Sequence, residues 1–308
     1  MTANRLKKRT VEKVWGRQHL PRAFGGDMRQ PVGEIWFQDR SAGEAELLIK
    51  YLLTSEKLSI QVHPDDEAAR ARGQKRGKDE AWLIVDAEPE ARIGLGLKRA
   101  VSREELRAAA LDGSIEDLVD WREAHAGDFI YSPAGTVHAL GPGLTLIEIQ
   151  QNADLTYRLY DYGRPRELQL DDAVAAARPE PYRAPFEPYQ HSPGREILAE
   201  GAAFVVERWT AAAGGRLAGE EGRPVWLIPV SGTGLIDAEP LRPPAVWLVE
   251  DQSRVRIDEG AEMLFAYPGA AIIEDLLVDT RAASVSPAKE RRQYVPPVRI
   301  APSFYGED

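Results

Sequence analysis

The chain has 308 residues, of which 43% are hydrophobic and 29% charged, and it contains no cysteine. This composition predicts a folded protein with one large or two ordinary domains, and it excludes disulfides, thiolate metal sites and cysteine nucleophiles. The formal net charge of -10 argues against a nucleic-acid or anionic-membrane partner. An anionic substrate would therefore need a locally positive site, formed by Lys and Arg side chains or by a bound cation.

The N-terminal segment is basic but lacks the apolar core of a signal peptide. The chain also lacks a run of about 18 apolar residues, so the sequence predicts no transmembrane helix. We therefore expect a cytoplasmic protein without a membrane partner.

The first half of the chain is predicted to consist mainly of short strands. The strand-like segments are ELLIKYLLT (46–54), KLSIQVH (57–63), EAWLIVD (80–86), ARIGLGL (91–97), DFIYSP (128–133), LTLIEIQQ (144–151) and TYRLYDY (156–162). A small helical insert at about residues 100–125 interrupts them. Ser102 with Glu105 is a capping-box pattern that starts one helix, and Ser114 with Asp117 starts a second, SIEDLVDWREA.

The second half repeats this strand-rich character. ELQLDDAVAAAR (167–178) predicts a helix that ends before Pro179, and the proline-rich residues 179–195 predict a linker. The strand-like segments that follow are FVVERWT, VWLIPV, TGLID, AVWLVE, SRVRID, EMLFAY and AIIED. Two strand-rich halves, residues 1–178 and 196–308, predict a mainly β protein with two sandwiches or barrels. The C-terminal extension, which contains KERRQYVPPVRIAP, is assigned no role.

Polar side chains form a row in the segment KLSIQVHPDDE (57–67). Gln61 and His63 are two residues apart, so they point to the same face of a strand, and Ser59 is next in that row. Taken alone, such a row is more often a solvated sheet face than a binding site.

The most specific local pattern is GDFIYSPAGTVH (127–138), which resembles the second sequence motif of the cupin superfamily. It predicts a strand, a Pro/Gly turn and a histidine, His138, that points into a small β-barrel. The motif's usual Asn is absent, because Pro142 stands in its place. A lone histidine at the start of a strand is more often structural, but the Gln61/His63 row makes a shared metal site the favoured interpretation.

Nitrogen and oxygen ligands suit zinc when no thiol is present, and such a site needs a carboxylate. Glu67 is nearest in sequence, but Pro64 and the residues after it predict a helical turn that leaves the barrel. Glu80, which opens the strand EAWLIVD, is the favoured ligand, and its alternative is a solvated carboxylate at a strand end. Lys78 shares the face of Glu80, and beside a metal it is a candidate for proton transfer or phosphate contact rather than a charged loop residue.

Arg158 lies inside the strand-like segment TYRLYDY, among aromatic residues. A strand-interior arginine is costly unless it is paired or functional. A buried ion pair with Asp or Glu explains it as well as a function does.

Taken together, these segments resemble the short bacterial form of type I phosphomannose isomerase (mannose-6-phosphate isomerase), a family of the cupin superfamily. The resemblance rests on KVWGRQHL, PVGEIWF, LSIQVHPDD, GKDEAW, PAGTVHALGPG and EIQQNADLTYRLYDYGR. It implies two cupin-like jelly-roll β-barrels with a small helical insert, in which residues 1–178 bind the metal and residues 196–308 do not.

The resemblance also implies an enzyme with one Zn²⁺ per chain that interconverts mannose 6-phosphate and fructose 6-phosphate through a cis-enediol or enediolate. Residue by residue, the family's metal ligands, active-site arginine and neighbouring lysine correspond to Gln61, His63, Glu80, His138, Arg158 and Lys78. Ser59, Trp15 and Glu34 fall in motifs that line the family's pocket. Lys78, Glu148 and a metal-bound water are the candidates for proton transfer, and a buried structural carboxylate is the alternative for Glu148.

Other interpretations predict different behaviour. A non-catalytic cupin would bind a sugar phosphate or nucleotide sugar without turnover. An iron-dependent cupin oxygenase is disfavoured, since Gln61 stands where such sites commonly have histidine. A bifunctional isomerase and guanylyltransferase is set aside, because no Gly-rich phosphate loop precedes residue 57.

We expect a monomer or homodimer that acts on a small sugar phosphate, at a site that could also accept cobalt, manganese or iron.

Overall fold

The computed structural model describes residues 3–38, 45–201, 203–219 and 223–278. The predicted extension past about residue 280 lies outside the described residues. The strands of the first half are β1 (Asn4–Arg5), β2 (Lys7–His19), β3 (Asp27–Gln38), β4 (Leu47–Leu53), β5 (Ile60–Val62), β6 (Glu80–Ala87), β7 (Arg92–Leu97), β8 (Val119–Glu123), β9 (Phe129–Ser132), β10 (His138–Leu140), β11 (Leu144–Gln151) and β12 (Tyr157–Tyr160). The helices are α1 (Asp66–Ala71), α2 (Arg103–Asp112), α3 (Ile115–Leu118) and α4 (Leu170–Ala176), with a short 3₁₀ turn at Arg22–Phe24.

The strands of the second half are β13 (Tyr189–Ser192), β14 (Arg195–Glu200), β15 (Phe204–Trp209), β16 (Ala213–Ala218), β17 (Val225–Ser231), β18 (Gly234–Ile236), β19 (Glu239–Leu241), β20 (Trp247–Val249), β21 (Gln252–Ile257), β22 (Glu262–Pro268) and β23 (Leu277–Val278). The prediction of a mainly β protein is confirmed. None of the helices that the structure describes is long and apolar enough to cross a bilayer.

Four antiparallel sheets stack in layers. In the first half, a five-stranded sheet (β12-β5-β10-β7-β8) faces a six-stranded sheet (β2-β3-β4-β11-β6-β9). In the second half, a seven-stranded sheet (β1-β20-β17-β22-β15-β14-β13), whose edge strand β1 comes from the first half of the chain, faces a five-stranded one (β19-β18-β21-β16-β23). Each half is therefore a closed pair of sheets, as predicted for two jelly-roll barrels.

The six-stranded and seven-stranded sheets pack against each other through one shared hydrophobic core. Tyr51 and Ile147 of the first half belong to the same buried cluster as Phe204 and Trp226 of the second half. Strands β4, β6 and β11 are therefore buried on both faces, because one face looks into their own barrel and the other onto the neighbouring sheet.

The inward-facing rows of these central strands change character along their length. On β6 the row reads Ile84, Trp82, Glu80, and on β11 the apolar Leu146 is followed by Glu148. The apolar ends pack in the barrel core with Leu52 of β4. Since alternate residues share a face, each strand carries its polar residues to the same end of the barrel. That end holds the candidate site.

The helical insert is shorter than the sequence predicts. Helix α2 forms as expected, and the hydroxyl of Ser102 accepts a hydrogen bond from the Glu105 N–H at 3.1 Å. The second helix, α3, ends at Leu118, so its predicted continuation through WREA was wrong. Residues 119–123 instead pair with β7, and a Cβ added at Gly94 would meet Val119 Cγ1 at 2.6 Å. Close packing on a strand glycine thus overrides the helical pattern.

The segment AIIED was predicted as a strand, and this was wrong, because β23 begins only at Leu277. The backbone oxygens of Ile273 and Glu274 accept hydrogen bonds from the Arg195 guanidinium at 2.7 and 2.6 Å. A buried arginine therefore takes acceptors that a strand neighbour would otherwise use.

Candidate metal centre and pocket

The polar end of the first barrel opens into a cavity of about 270 Å³. The cavity brings together residues that are far apart in sequence, because β4, β5, β6, β11 and β12 all contribute to its wall. Its lining includes the predicted site residues Trp15, Glu34, Ser59, Gln61, Lys78, Glu80, Glu148 and Arg158, together with Lys13, Trp36, Lys50, Leu52, Leu58, Asp154, Thr156 and Arg166.

Three of the predicted metal ligands meet at the base of this cavity. His63, Glu80 and His138 are all buried, and each offers a ligand atom within 4.8 Å of the others. The two Glu80 oxygens lie 3.2 Å from His63 Nε2 and 3.5 Å from His138 Nε2. Strand pairing explains the meeting, since His138 opens β10 directly opposite Gln61 of β5.

The outer nitrogen of each imidazole is held by a backbone oxygen. His63 Nδ1 lies 2.7 Å from the carbonyl of Leu155, and His138 Nδ1 lies 2.9 Å from that of Thr136. A proton on Nδ1 leaves the Nε2 lone pair directed at the centre of the cluster. Burial, aided by the Lys78 ammonium, lowers the pKa of His63 to about 4, and burial also lowers the pKa of His138. Both rings are therefore neutral and able to bind a metal near neutral pH.

Gln61 completes the set of donors. Its side-chain nitrogen lies 3.3 Å from His138 Nε2, and its oxygen accepts a hydrogen bond from Ser59 Oγ at 3.0 Å. Turning the amide by 180° would direct the oxygen at the cluster and let the nitrogen donate to Ser59. Ser59 can therefore hydrogen-bond Gln61 in either orientation of the amide. In the structure, Ser59 thus contacts a candidate metal ligand.

These residues fit a divalent cation. Glu80 Oε1 is buried without a well-formed hydrogen bond, although Lys78 Nζ lies 2.8 Å away. Burial alone would raise the pKa of Glu80, but the Lys78 ammonium outweighs it and holds that pKa well below its usual range. A buried carboxylate that faces two neutral imidazole lone pairs is a donor set that suits zinc in the absence of thiols.

Glu148 occupies the cavity wall as part of a buried pair. One of its oxygens accepts a hydrogen bond from Lys50 Nζ at 2.9 Å, and the other accepts one from Trp82 Nε1 at 3.1 Å. Burial would lower the pKa of Lys50, but Glu148 and the nearby carboxylates outweigh burial and raise it. Lys50 is therefore a permanent cation, and both oxygens of Glu148 are engaged.

The sequence reasoning missed Lys50, and a signal for it was present. Lys50 is the only charged residue in the apolar run LLIKYLL, and the strand register places it opposite Glu148. A single lysine on the inward row of a strand buried on both faces requires a partner.

Trp36 and Lys13, which were also missed, surround Glu34. Trp36 Nε1 donates to Glu34 Oε2 at 2.6 Å, and Lys13 Nζ lies 3.3 Å from Oε1. The Lys50 ammonium lies 5.0 Å from the centroid of the Trp36 ring. The predicted pocket residue Trp15 is only 4% exposed and packs mainly in the apolar core.

Arg158 is the cation in the cavity that lacks a carboxylate. Among the residues that the structure describes, no carboxylate oxygen lies within 4.0 Å of its guanidinium, and its buried Nε has no hydrogen-bond partner. Its Nη1 donates a long hydrogen bond to Gln169 Oε1 at 3.5 Å. Arg166, in contrast, binds Asp161 through two nitrogens at 2.5 and 2.6 Å. The ion pair offered as the alternative explanation of Arg158 is therefore not found.

Comparison with known proteins gives a consistent result, although no model of a protein family matches the chain. The chain is 36% identical over 220 residues to mannose-6-phosphate isomerase ManA of Bacillus subtilis (strain 168). The matched region covers 65% of this chain and 67% of that protein. It is 31% identical over 208 residues to mannose-6-phosphate isomerase of Streptococcus mutans serotype c. This second matched region covers 55% of this chain and 66% of that protein. These matches span about two thirds of each relative.

The solved structures extend the likeness to both halves of the chain. The crystal structure of mannose 6-phosphate isomerase from Bacillus subtilis matches with a TM-score of 0.75 and 28% identity, and covers 86% of this chain and 99% of that one. The apo form of mannose 6-phosphate isomerase from Salmonella typhimurium matches with a TM-score of 0.67 over 87% of this chain and 100% of that one, and its 15% identity supports the fold alone. The two-barrel, cupin-like architecture predicted from the sequence is thereby confirmed.

Proposed function

Because the chain belongs to the mannose-6-phosphate isomerase family, as its similarity to ManA shows, we propose that it interconverts mannose 6-phosphate and fructose 6-phosphate in the cavity of the first barrel. Its assignment as a sugar-phosphate isomerase follows from the family, and the metal, the intermediate and the residue roles are the proposed part. The observation that carries the proposal is the buried His63–Glu80–His138 cluster beneath a cavity with an unpaired cation in its wall.

His63, Glu80, His138 and the amide oxygen of Gln61 are the residues that would hold zinc. Zinc in this position would supply Lewis acidity toward the oxygens of the substrate without redox chemistry of its own. The remaining work of aldose–ketose isomerisation falls to the protein, which must move a proton between neighbouring carbons and stabilise the negative oxygen of a cis-enediol or enediolate.

Arg158 is suited to stabilise negative charge. Its guanidinium is permanently cationic and makes no ion pair among the described residues, and its Nε has no hydrogen-bond partner, so donors remain available to the substrate. Either the phosphate or the developing enediolate could accept them. A cation already neutralised by a carboxylate, such as Arg166, would contribute less.

Lys78 is the candidate that geometry favours for proton transfer. Its Nζ lies 2.8 Å from Glu80 Oε1 and 3.5 Å from His63 Nε2, so it reaches the centre of the site. Glu148 is less suited, because Lys50 and Trp82 occupy both of its oxygens. We therefore assign Lys78 the acid/base role and Glu148 the role of holding Lys50 in the cavity wall.

The test is turnover of mannose 6-phosphate by the purified, metal-analysed protein, measured as fructose 6-phosphate formed before and after chelation. We expect about one zinc per chain, turnover that is lost on chelation, and recovery when zinc is restored. Stoichiometric binding of the sugar phosphate by the zinc-loaded protein without turnover would contradict the proposal and indicate a non-catalytic cupin. The cytoplasmic location and the monomeric or homodimeric state stay predictions.

A further inference from the structure

A carboxylate that does not line the cavity links the strands of the metal centre from behind. Asp79 lies between Lys78 and Glu80 and points away from the cavity. Its Oδ2 accepts a hydrogen bond from Tyr131 Oη at 2.6 Å, and its Oδ1 accepts one from the Ala134 N–H at 2.8 Å. The residue beside Glu80 is thereby fastened to the 133–136 turn, which leads directly into His138.

The 133–136 turn also contacts the other ligand-bearing segments. The Gly135 N–H donates to the backbone oxygen of His63 at 2.8 Å, and the Thr136 oxygen accepts from His138 Nδ1. The position of this turn therefore sets the backbone of His63 and the ring of His138, whereas the His63 ring is held by the Leu155 carbonyl. Asp79 provides the side-chain bond that joins the turn to the segment containing Glu80.

The backbone of Asp79 is held independently of its side chain. Its N–H donates to Gln151 Oε1 at 2.9 Å, and its carbonyl accepts from the Gln151 N–H at 3.1 Å. Removing the Asp79 carboxylate should therefore break the bond between the 133–136 turn and the segment of Glu80, while the turn keeps its bonds to His63 and Arg178 and the strand of Glu80 stays in place.

Tyr131 connects this bond to the second barrel. Its ring lies 5.2 Å from the ring of Phe204 between centroids, and a Cβ added at Gly201 would lie 2.7 Å from Tyr131 Oη. Burial and the adjacent Asp79 carboxylate raise the pKa of Tyr131, so its hydroxyl stays protonated and donates. The hydroxyl is thus held between Asp79 on one side and the second half of the chain on the other.

We propose that Asp79 is a positioning residue for the metal centre, and that the second barrel acts through Tyr131 as a brace for it. The inference rests on the proposed zinc site. Partners of this kind fix the ligands rather than touch the metal, and their loss typically lowers metal affinity by about 10- to 100-fold.

The experiment measures zinc affinity by competition with a chromophoric chelator, alongside the urea midpoint, for Asp79→Ala, Tyr131→Phe and the double variant. We expect each single variant to bind zinc about 10- to 100-fold more weakly. The double variant should be no weaker than Asp79→Ala, because both changes break the same link. Tyr131→Phe keeps the test readable if Asp79→Ala does not fold.

Tyr182→Phe is the matched control. It removes a half-buried tyrosine hydrogen bond, from Tyr182 Oη to the Tyr131 carbonyl at 2.7 Å, and leaves the bond between Tyr131 Oη and Asp79 in place. We expect it to lower the urea midpoint and keep wild-type zinc affinity. Gly201→Ala tests the brace from the second half, since the new Cβ must displace the Tyr131 ring, and zinc affinity should fall as in Tyr131→Phe.

Wild-type zinc affinity in Asp79→Ala and Tyr131→Phe, with only the urea midpoint lowered, would overturn the inference. An equal loss of affinity in Tyr182→Phe would overturn it too, because general destabilisation would then be the cause. If the unmodified chain binds zinc but does not turn over mannose 6-phosphate, the proposed reaction fails while the affinity comparison still decides the role of Asp79. If it binds no zinc, both fail.

Discussion

The two barrels of this chain share an architecture but fill their interiors differently. In the second barrel, the inward rows of β17 and β22 consist of apolar and aromatic residues such as Leu227, Met263 and Phe265, and they pack into a continuous core. In the first barrel, the corresponding central strands turn polar at one end and leave a cavity. The comparison shows that the same framework becomes a site only where the inward rows stop being apolar.

Each barrel also contains an arginine within a strand, and the two have opposite environments: Arg195 is buried, whereas Arg158 is half-buried in the cavity wall. Arg195 donates to both oxygens of Glu207 at 2.8 Å, and Trp209 and Tyr267 also donate to this carboxylate. Arg158 makes no ion pair within 4.0 Å among the described residues, although Asp154 and Asp161 lie close enough to act on its charge. A buried charge with all its partners supplied by the fold is structural, whereas one with open donors is available to a ligand.

The largest effect is expected from Glu80→Gln, which would remove the candidate metal site from the first barrel. Glu80 is the carboxylate of the three-residue cluster among the described residues. We expect zinc per chain after dialysis to fall and turnover to drop to the level of the metal-free protein. The control is Glu67→Gln, an exposed change on α1, which should match the wild type in both measurements. Loss of zinc in the control instead would contradict the ligand assignment.

Arg195→Met tests the structural side of the comparison. Removing this partner leaves Glu207 buried and uncompensated, which should lower the free energy of unfolding by about 3–5 kcal/mol. Urea denaturation measures the effect, and the zinc-loaded folded protein should keep its turnover number. Arg254→Gln, an exposed change on β21, should alter stability by less than about 0.5 kcal/mol. A similarly small effect of Arg195→Met would show that the buried pair is dispensable.

Arg158→Gln tests the functional side. We expect kcat/KM for mannose 6-phosphate to fall by about 100- to 1,000-fold, since a charge-stabilising donor is lost. The free energy of unfolding should hardly change, because the guanidinium gives up no ion pair. Arg164→Gln, which removes a cation paired with Glu56 and Asp161, should keep kcat/KM. Destabilisation of Arg158→Gln with unchanged kcat/KM would reverse the contrast between the two arginines.

The smallest effect is expected from Ser102→Ala, which separates stability from activity within the first barrel itself. Loss of the hydrogen bond from the Glu105 N–H should cost about 1 kcal/mol in the free energy of unfolding and leave turnover unchanged. Ser114→Ala is the matched control, because Ser114 precedes α3 without a side-chain capping bond. Equal losses in thermal or urea stability for the two variants would argue against capping as the cause.

The strands that the sequence predicted best are those with continuous apolar runs. LTLIEIQQ forms β11 with the predicted bounds, and EAWLIVD differs from β6 by one residue. Burial on both faces imposes such runs, so the pattern is unambiguous. The N-terminal strand β2 was not predicted, since its first residues are Lys and Arg side chains exposed to solvent.

The candidate site was predictable where a short sequence pattern showed both which residues take part and which face of a strand they share. The spacing of Gln61 and His63 is enough to place them together, and Glu67 lies exposed on α1, as its proline-started turn suggested. Neither Lys50 nor Asp79 could be assigned in this way. Their partners, Glu148 and Tyr131, are about 100 and 50 residues away, and only the strand register reveals these contacts. The roles proposed for the site residues stay predictions until the variants are measured.

The first strand of the chain has a consequence for synthesis. Asn4 and Arg5 form β1, which pairs with Leu248 and Trp247 at the edge of the seven-stranded sheet. A ribosome therefore makes β1 long before its partner β20, which follows about 240 residues later, after most of both barrels has been translated. Until then both edges stay open to other chains. The pairing of β1 with β20 therefore forms only after both strands have been made, and a fusion close to β1 would act on that late step of assembly.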